Sequence, residues 1–86
     1  MTKSYWEKRR DDKNHILWVL KSDPNVYVSA ERTNPAPKRK HQGWNVTGFD
    51  RLGTFFRLEG ADFKWQARVR IEIAKNEYMQ AHAERF

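Results

Sequence analysis

The chain has no cysteine, and this absence removes two common supplements to a small core. Without cysteine there is neither a disulfide framework nor a thiolate metal site. A chain of 86 residues buries only about 60 to 65% of its unfolded surface on folding, which leaves no room for a second core. We therefore expect one small domain over residues 1–86, with aromatic side chains supplying much of the burial.

The chain also lacks a long apolar run. The longest one, Ile16 to Leu20, is far shorter than the roughly 20 residues that cross a bilayer. The N-terminal residues are partly basic, but no apolar segment with a small-residue cleavage site follows them, so they do not predict a secretory signal. Together with the lack of cysteine, these features predict a cytoplasmic protein that does not bind a membrane.

No motif has the spacing of a metal site or of a catalytic site. The three histidines are His15, His41 and His82. They are widely separated, and no two of them have the His-x-x-x-His spacing of a metal site. Asp50, Asp62 and Lys64 have the order of a metal-dependent nuclease, and His41 beside basic residues permits a metal-free ribonuclease. Both patterns arise readily by chance in a basic protein, so we expect no enzyme, no metal and no cofactor.

Positive charge and aromatic rings are what the chain has in excess. Seventeen lysines and arginines against eleven acidic residues give a formal net charge of +6, which favours a polyanionic partner. There are four tryptophans, three tyrosines and five phenylalanines. Each ring can remove on the order of 150 to 250 Å² from water, either in the core or at a contact surface.

Alternation of apolar and polar residues predicts a mainly β fold of the α+β class. We expect a small, twisted antiparallel sheet of about five strands, barrel-like if it closes, with short helices at both ends. The Ser-x-x-Glu spacing of Ser4 and Glu7 predicts the N-terminal helix, and helix formers predict the C-terminal one over residues 74–85. The predicted strands cover residues 15–21, 26–32, 44–51, 54–59 and 63–73.

Two groups of residues are candidates for binding phosphate. The segment 33–43 contains two prolines and a glycine, which predicts a flexible basic loop carrying Lys38, Arg39 and Lys40. Trp44 follows this loop directly and could stack on an exposed base. The second group lies on the polar face of the predicted strand over residues 63–73. Arg51 and Arg57 would add positive charge to this face from a neighbouring strand. That face carries Lys64, Arg68 and Arg70.

These features predict a non-catalytic protein that binds RNA or DNA with its basic loop and basic strand face. An alternative is a small phage-type inhibitor or adaptor that attaches to a host enzyme. It rests on the surplus of Trp, Tyr and Arg, the residues most enriched in interface hot spots. Assembly into a homo-oligomer that buries the extra rings is compatible with either function.

Overall fold

The strands pair in the order in which they occur along the chain. The computed structural model describes residues 4–33 and 43–86. Each strand is antiparallel to the next, and β1 does not pair with β5, so the sheet is open rather than closed into a barrel. The elements are β1 (Trp6–Asp11), β2 (His15–Leu20), β3 (Asp23–Arg32), β4 (Trp44–Asp50), β5 (Gly53–Ala61), helix α1 (Lys64–Ala81) and a 3-10 turn (Ala83–Arg85). The prediction of a mainly β antiparallel fold of five strands is confirmed.

Four of the five strands coincide with predicted ones. In β3, Val26, Val28 and Ala30 are buried beneath α1, as the alternation requires. Strands β2, β4 and β5 agree with their predictions to within two residues at each end, whereas β3 begins three residues earlier than expected. Alternation identified these strands because one face of each is buried.

The predicted N-terminal helix is wrong, because residues 6–11 form the edge strand β1. The hydroxyl of Ser4 does not cap a helix. It donates to the carbonyl of Trp6 at 2.9 Å and accepts from the backbone N–H of the same residue at 3.3 Å. Only Trp6 of this strand is buried, and its indole N–H donates to the sulfur of Met79 at 3.3 Å. The rest of β1 is exposed and charged, which discourages pairing with another sheet edge.

The predicted strand over residues 63–73 is also wrong, because this segment forms the beginning of α1. Two apolar series, each repeating every three to four residues, are interleaved along the helix. Ala67, Ile71, Ala74 and Tyr78 are buried, whereas Trp65, Val69 and Ile73 are exposed. The two series are offset by two residues, so their sum alternates with period two and imitates a strand.

Helix α1 crosses one face of the sheet and encloses the hydrophobic core, with contacts to β3, β4 and β5. Besides the four buried apolar residues of α1, the core contains Trp6, Ile16, Leu20, Val26, Val28, Ala30, Trp44, Val46, Phe56 and Ala61. Within residues 4–33 and 43–86, no helix is both long and apolar enough to span a membrane. The cytoplasmic location stays a prediction.

A bulge in β5 brings two consecutive phenylalanines to this core. Gly48 of β4 lies opposite Phe56 while Phe49 lies opposite Thr54, so Phe55 is an extra residue in β5. Phe55 and Phe56 therefore both pack with the core. A Cβ atom on Gly48 would come to 2.5 Å from the Phe55 ring, so any other residue at this position would force the ring to move.

The antiparallel order gives the molecule two distinct ends. One end, which we call the loop end, contains the β1–β2 turn (12–14), the roots of the 33–43 segment and the β5–α1 junction (62–63). The opposite end, which we call the turn end, contains the β2–β3 turn, the β4–β5 turn and the C-terminus of α1. Residues far apart in sequence therefore meet at the loop end.

Candidate nucleic-acid interface

Three cations from three different elements surround one depression at the loop end. Lys13 of the β1–β2 turn, Arg32 at the end of β3 and Lys64 at the start of α1 line a cavity of about 360 Å³. Phe63, whose side chain is 48% exposed, and Asp62 complete one wall of this cavity. The depression thus combines positive charge with an accessible aromatic ring.

Arg32 is the least satisfied of these cations. Its backbone N–H donates to the carbonyl of Asn14 at 2.9 Å, which ties the end of β3 to the β1–β2 turn. Its side-chain Nε is buried and has no hydrogen-bond partner among the residues that the structure describes. A buried donor without a partner costs about 1–3 kcal/mol, and more when it is charged. An anion that accepts from this guanidinium would remove the cost.

Arg32 also borders a second depression, on the face of the sheet opposite α1. Asn45, Thr47 and Phe49 of β4 line this cavity of about 300 Å³ together with Ser29. The hydroxyl of Ser29 lies 2.9 Å from His15 Nε2. Arg32 therefore lines both a helix-side depression and a sheet-side depression, the second of which Glu31 also borders, and an extended ligand could pass from one to the other.

The basic segment between β3 and β4 begins and ends beside Arg32. Thr33 donates to the carbonyl of Gly43 from both its backbone N–H and its hydroxyl, each at 2.8 Å, and this contact joins the two roots of the segment. Lys38, Arg39 and Lys40 lie outside the described residues. Four of the seventeen basic residues, but none of the eleven acidic ones, fall outside the described ranges. The described part therefore has an excess of only two positive charges, and most of the net charge belongs to this segment and to Lys3.

Lys64 and Arg68 lie one helical turn apart and share a carboxylate. The ammonium of Lys64 lies 2.9 Å from Asp11 Oδ1 and donates to the carbonyl of Asp12 at 2.7 Å. The guanidinium of Arg68 lies 3.4 Å from the same carboxylate. The hydrogen bond from Lys64 is the largest cause that lowers the pKa of Asp11, from 3.8 to about 2. These contacts attach the start of α1 to the end of β1.

The low pKa of Asp11 predicts a pH dependence of folding stability. The pKa is lower in the folded protein than its ordinary value of 3.8, so the stabilisation is complete well above pH 3.8 and is lost as the pH falls towards about 2. We expect Asp11→Asn to be less stable than the wild type at neutral pH and to lose less stability over this acid range. Urea midpoints measured across the range test this, with the exposed Glu77→Gln as control. Equal acid slopes for Asp11→Asn and the wild type would contradict it.

The other predicted cations do not form one track. Arg70 lies roughly 160° around the axis of α1 from Arg68, and its guanidinium donates to the carbonyl of Glu59 at 3.1 Å. Arg57 is bound to the carboxylate of the same residue, with its Nε at 2.9 Å. The expectation that Lys64, Arg68 and Arg70 share a strand face is wrong, because a helix turns successive residues by about 100°.

Arg51 lies at the turn end, away from the loop end. Its guanidinium donates to both carboxylate oxygens of Asp23, at 3.0 and 3.2 Å. The hydrogen bond from Arg51 is the largest cause that lowers the pKa of Asp23. The nuclease arrangement is not assembled either, because Asp50 and Asp62 are separated by the length of β5, about 30 Å. Within residues 4–33 and 43–86, no three histidine or acidic side chains come together as a metal site.

Trp44 is buried in the core with 3% exposure, so it is not placed to stack on a base. Trp6 is buried as well, and the ammonium of Lys75 lies 3.8 Å from the centre of the Trp18 ring. Trp65, at 62% exposure, is the indole that remains open to solvent. Sequence reasoning thus expected an accessible ring at Trp44, which the structure buries, and did not single out the loop-end residues Lys13, Arg32 and Phe63. The sequence signal for them was weak, since each is isolated among residues of other kinds.

Comparisons of this chain with protein-family models, curated proteins and solved structures found no match, so its function is inferred from its own geometry.

Proposed function

We propose that this protein is a non-catalytic nucleic-acid-binding protein that holds the phosphate backbone at its loop end. The observation that carries the proposal is the side chain of Arg32, whose Nε is buried without a partner among the described residues and which lines two depressions beside the roots of the basic segment. A rotation of this side chain would let its guanidinium donate charge-assisted hydrogen bonds to a phosphate in either depression. Lys13 and Lys64 would neutralise the phosphates on either side.

Two further features of the loop end support an extended polyanion as the ligand. The first turn of α1 contains no acidic residue, so the partial positive charge of the helix N-terminus is not compensated there. Phe63 lies beside these cations and is 48% exposed, so a base of a strand bound there would contact it. A site that neutralises the backbone and contacts the bases through aromatic side chains is typical of binding with little sequence preference.

The loop end and the basic segment provide up to six cations for phosphate contacts, of which Lys64 would exchange its contacts with Asp11 and Asp12 for a phosphate. The six cations are Lys13, Arg32, Lys38, Arg39, Lys40 and Lys64. If all six are used on a single strand, the logarithm of the affinity should fall with the logarithm of salt concentration with a slope of about minus four. Fluorescence anisotropy of labelled single-stranded RNA and DNA of equal sequence measures this slope and also separates the two polymers.

Arg32→Gln tests whether the guanidinium of Arg32 binds phosphate, with Arg51→Gln as a matched control. We expect Arg32→Gln to weaken binding roughly fivefold near 0.1 M salt and to reduce the salt slope by about 0.7, because one phosphate contact on a single strand is lost. Arg51→Gln removes the same charge at the turn end, where the guanidinium is already paired with Asp23, and should leave binding nearly unchanged. Equal losses in the two variants would mean that net charge alone attracts the polymer, and the loop end would not be the site.

A further inference from the structure

The outer face of α1 carries an apolar stripe that points away from the core. Trp65, Val69 and Ile73 follow one another at intervals of four residues and are 62, 51 and 43% exposed. We call these three residues the outer stripe. It lies on the side of the helix opposite Ala67 and Ile71, the residues that face the sheet. The helix is therefore apolar on two opposite faces.

This arrangement is unusual for a helix at the surface of a protein. A surface helix normally has charged or polar residues on the face opposite its apolar one, and a contiguous exposed apolar patch marks a contact site. The outer stripe is separate from the loop-end cations, and neither Val69 nor Ile73 borders the depression formed by Lys13, Arg32 and Lys64. The proposed nucleic-acid binding therefore does not account for it.

We propose that the outer stripe is the interface of a homodimer in which two α1 helices pack antiparallel around a twofold axis. A twofold axis brings the same surface of both subunits together. The geometry is therefore favourable if the charges beside the stripe attract the charges on the same surface of the second copy. Arg68 and Glu72 lie next to each other, one turn apart, along one edge of the outer stripe.

With the twofold axis at the level of residue 70, the charges along this edge match. Residues that lie equally far from residue 70, but on opposite sides of it, then face each other across the interface. Arg68 lies level with Glu72 of the partner subunit, and Glu72 lies level with Arg68 of the partner subunit. Two reciprocal ion pairs flank an apolar centre in which Val69 meets its own copy and Trp65 covers Ile73 of the partner subunit, offset by about 3 Å along the axis.

The contacts within one subunit are compatible with this pairing. Arg68 is 57% exposed and only loosely bound to Asp11, at 3.4 Å, so its guanidinium can reach across the interface. Glu72 is 59% exposed, and its Oε1 contacts Lys75 at 2.7 Å, which leaves the other oxygen available. On the opposite edge, Arg70 is directed to the carbonyl of Glu59 in β5, away from its own copy. Three apolar side chains per subunit form a small interface, so we expect dissociation in the micromolar to submillimolar range.

The first experiment measures the mass of the full-length protein in solution. Sedimentation equilibrium between about 10 µM and 1 mM should show the 10.4 kDa chain shifting to twice its mass as the concentration rises. Val69→Asp should remain monomeric at all these concentrations while its far-ultraviolet circular dichroism is unchanged. Glu77→Arg, an exposed substitution on α1 outside the Arg68–Glu72 edge, should dimerise as the wild type does. A wild type that stays monomeric, or a Val69→Asp variant that still dimerises, overturns the proposal.

The second experiment tests the antiparallel pairing by reversing charges. Arg68→Glu alone and Glu72→Arg alone place like charges opposite each other, and we expect each to weaken the dimer at least tenfold. The double variant Arg68→Glu/Glu72→Arg restores attraction and should recover most of the wild-type affinity. No recovery in the double variant overturns the antiparallel geometry. Val69→Asp should bind nucleic acid at the loop end as the wild-type monomer does, so this proposal and the proposed function can fail separately.

Discussion

Replacing Trp44 with alanine is expected to lower the free energy of unfolding by about 3–5 kcal/mol. The indole is 3% exposed and belongs to the core between the sheet and α1, so its removal leaves a cavity that neighbouring side chains fill only in part. A chain of this length has a total stability of roughly 4–13 kcal/mol. The variant should therefore lose a large share of the total stability. Urea denaturation followed by circular dichroism measures the change.

Trp65→Ala is the matched control, because it removes the same side chain from a position that is 62% exposed. We expect a loss below about 1 kcal/mol when both variants are measured at the same low concentration. Trp44→Phe should lose less than Trp44→Ala, because the smaller ring still fills part of the site. If Trp44→Ala were as stable as Trp65→Ala, this would contradict the placement of Trp44 as a buried residue of the core.

The combined replacement of Lys38, Arg39 and Lys40 by glutamine is expected to weaken nucleic-acid binding about 100-fold near 0.1 M salt. Each phosphate contact on a single strand contributes about 0.7 to the salt slope, so three lost contacts reduce the slope by about two and the affinity by about two decades. Folding stability should be unchanged, because the described strand pairs and the hydrophobic core do not depend on these three residues. Anisotropy across a salt series measures the affinity and the slope together.

Three glutamines placed elsewhere provide the control for this prediction. Arg51, Arg57 and Arg85 are exposed, and each has a hydrogen-bond partner within the described ranges. Their combined replacement changes the net charge by the same amount, so it separates a local effect from a general one. A similar loss of affinity in both triple variants would contradict a site at the loop end and would favour diffuse attraction by the whole surface.

The sheet could be predicted from the sequence where burial is one-sided. Val26, Val28 and Ala30 alternate with more polar residues, and this pattern is sufficient for β3. The same rule failed in α1, where two helical series together alternate like a strand. A signal against the strand was present, since no glycine or proline follows Gly60 to separate a strand from the terminal helix. The rule also could not find β1, which buries only Trp6 and forms because β2 offers it an edge.

The candidate site could be predicted only in part, because it depends on contacts between distant elements. The basic cluster of residues 38–40 is visible in the sequence, and so is the net charge. The carboxylate that binds Lys64 cannot be identified from the sequence, because Asp11 precedes Lys64 by more than fifty residues. The Nε of Arg32 is buried without a partner where β3 meets the β1–β2 turn. This contact exists only in the folded chain and cannot be seen in the sequence. Pairing of this kind determines which cations remain available to a ligand.

A titration of the isotopically labelled protein with an unstructured single-stranded oligonucleotide, followed by amide nuclear magnetic resonance, is the most direct test of binding at the loop end. We predict that the largest shifts occur at Lys13, Arg32, Phe63 and Lys64 and in the segment between Thr33 and Gly43. Amides at the turn end, near Asp23 and Arg51, should remain unchanged. Shifts that centre on the turn end, or no shifts at low salt, would contradict the account.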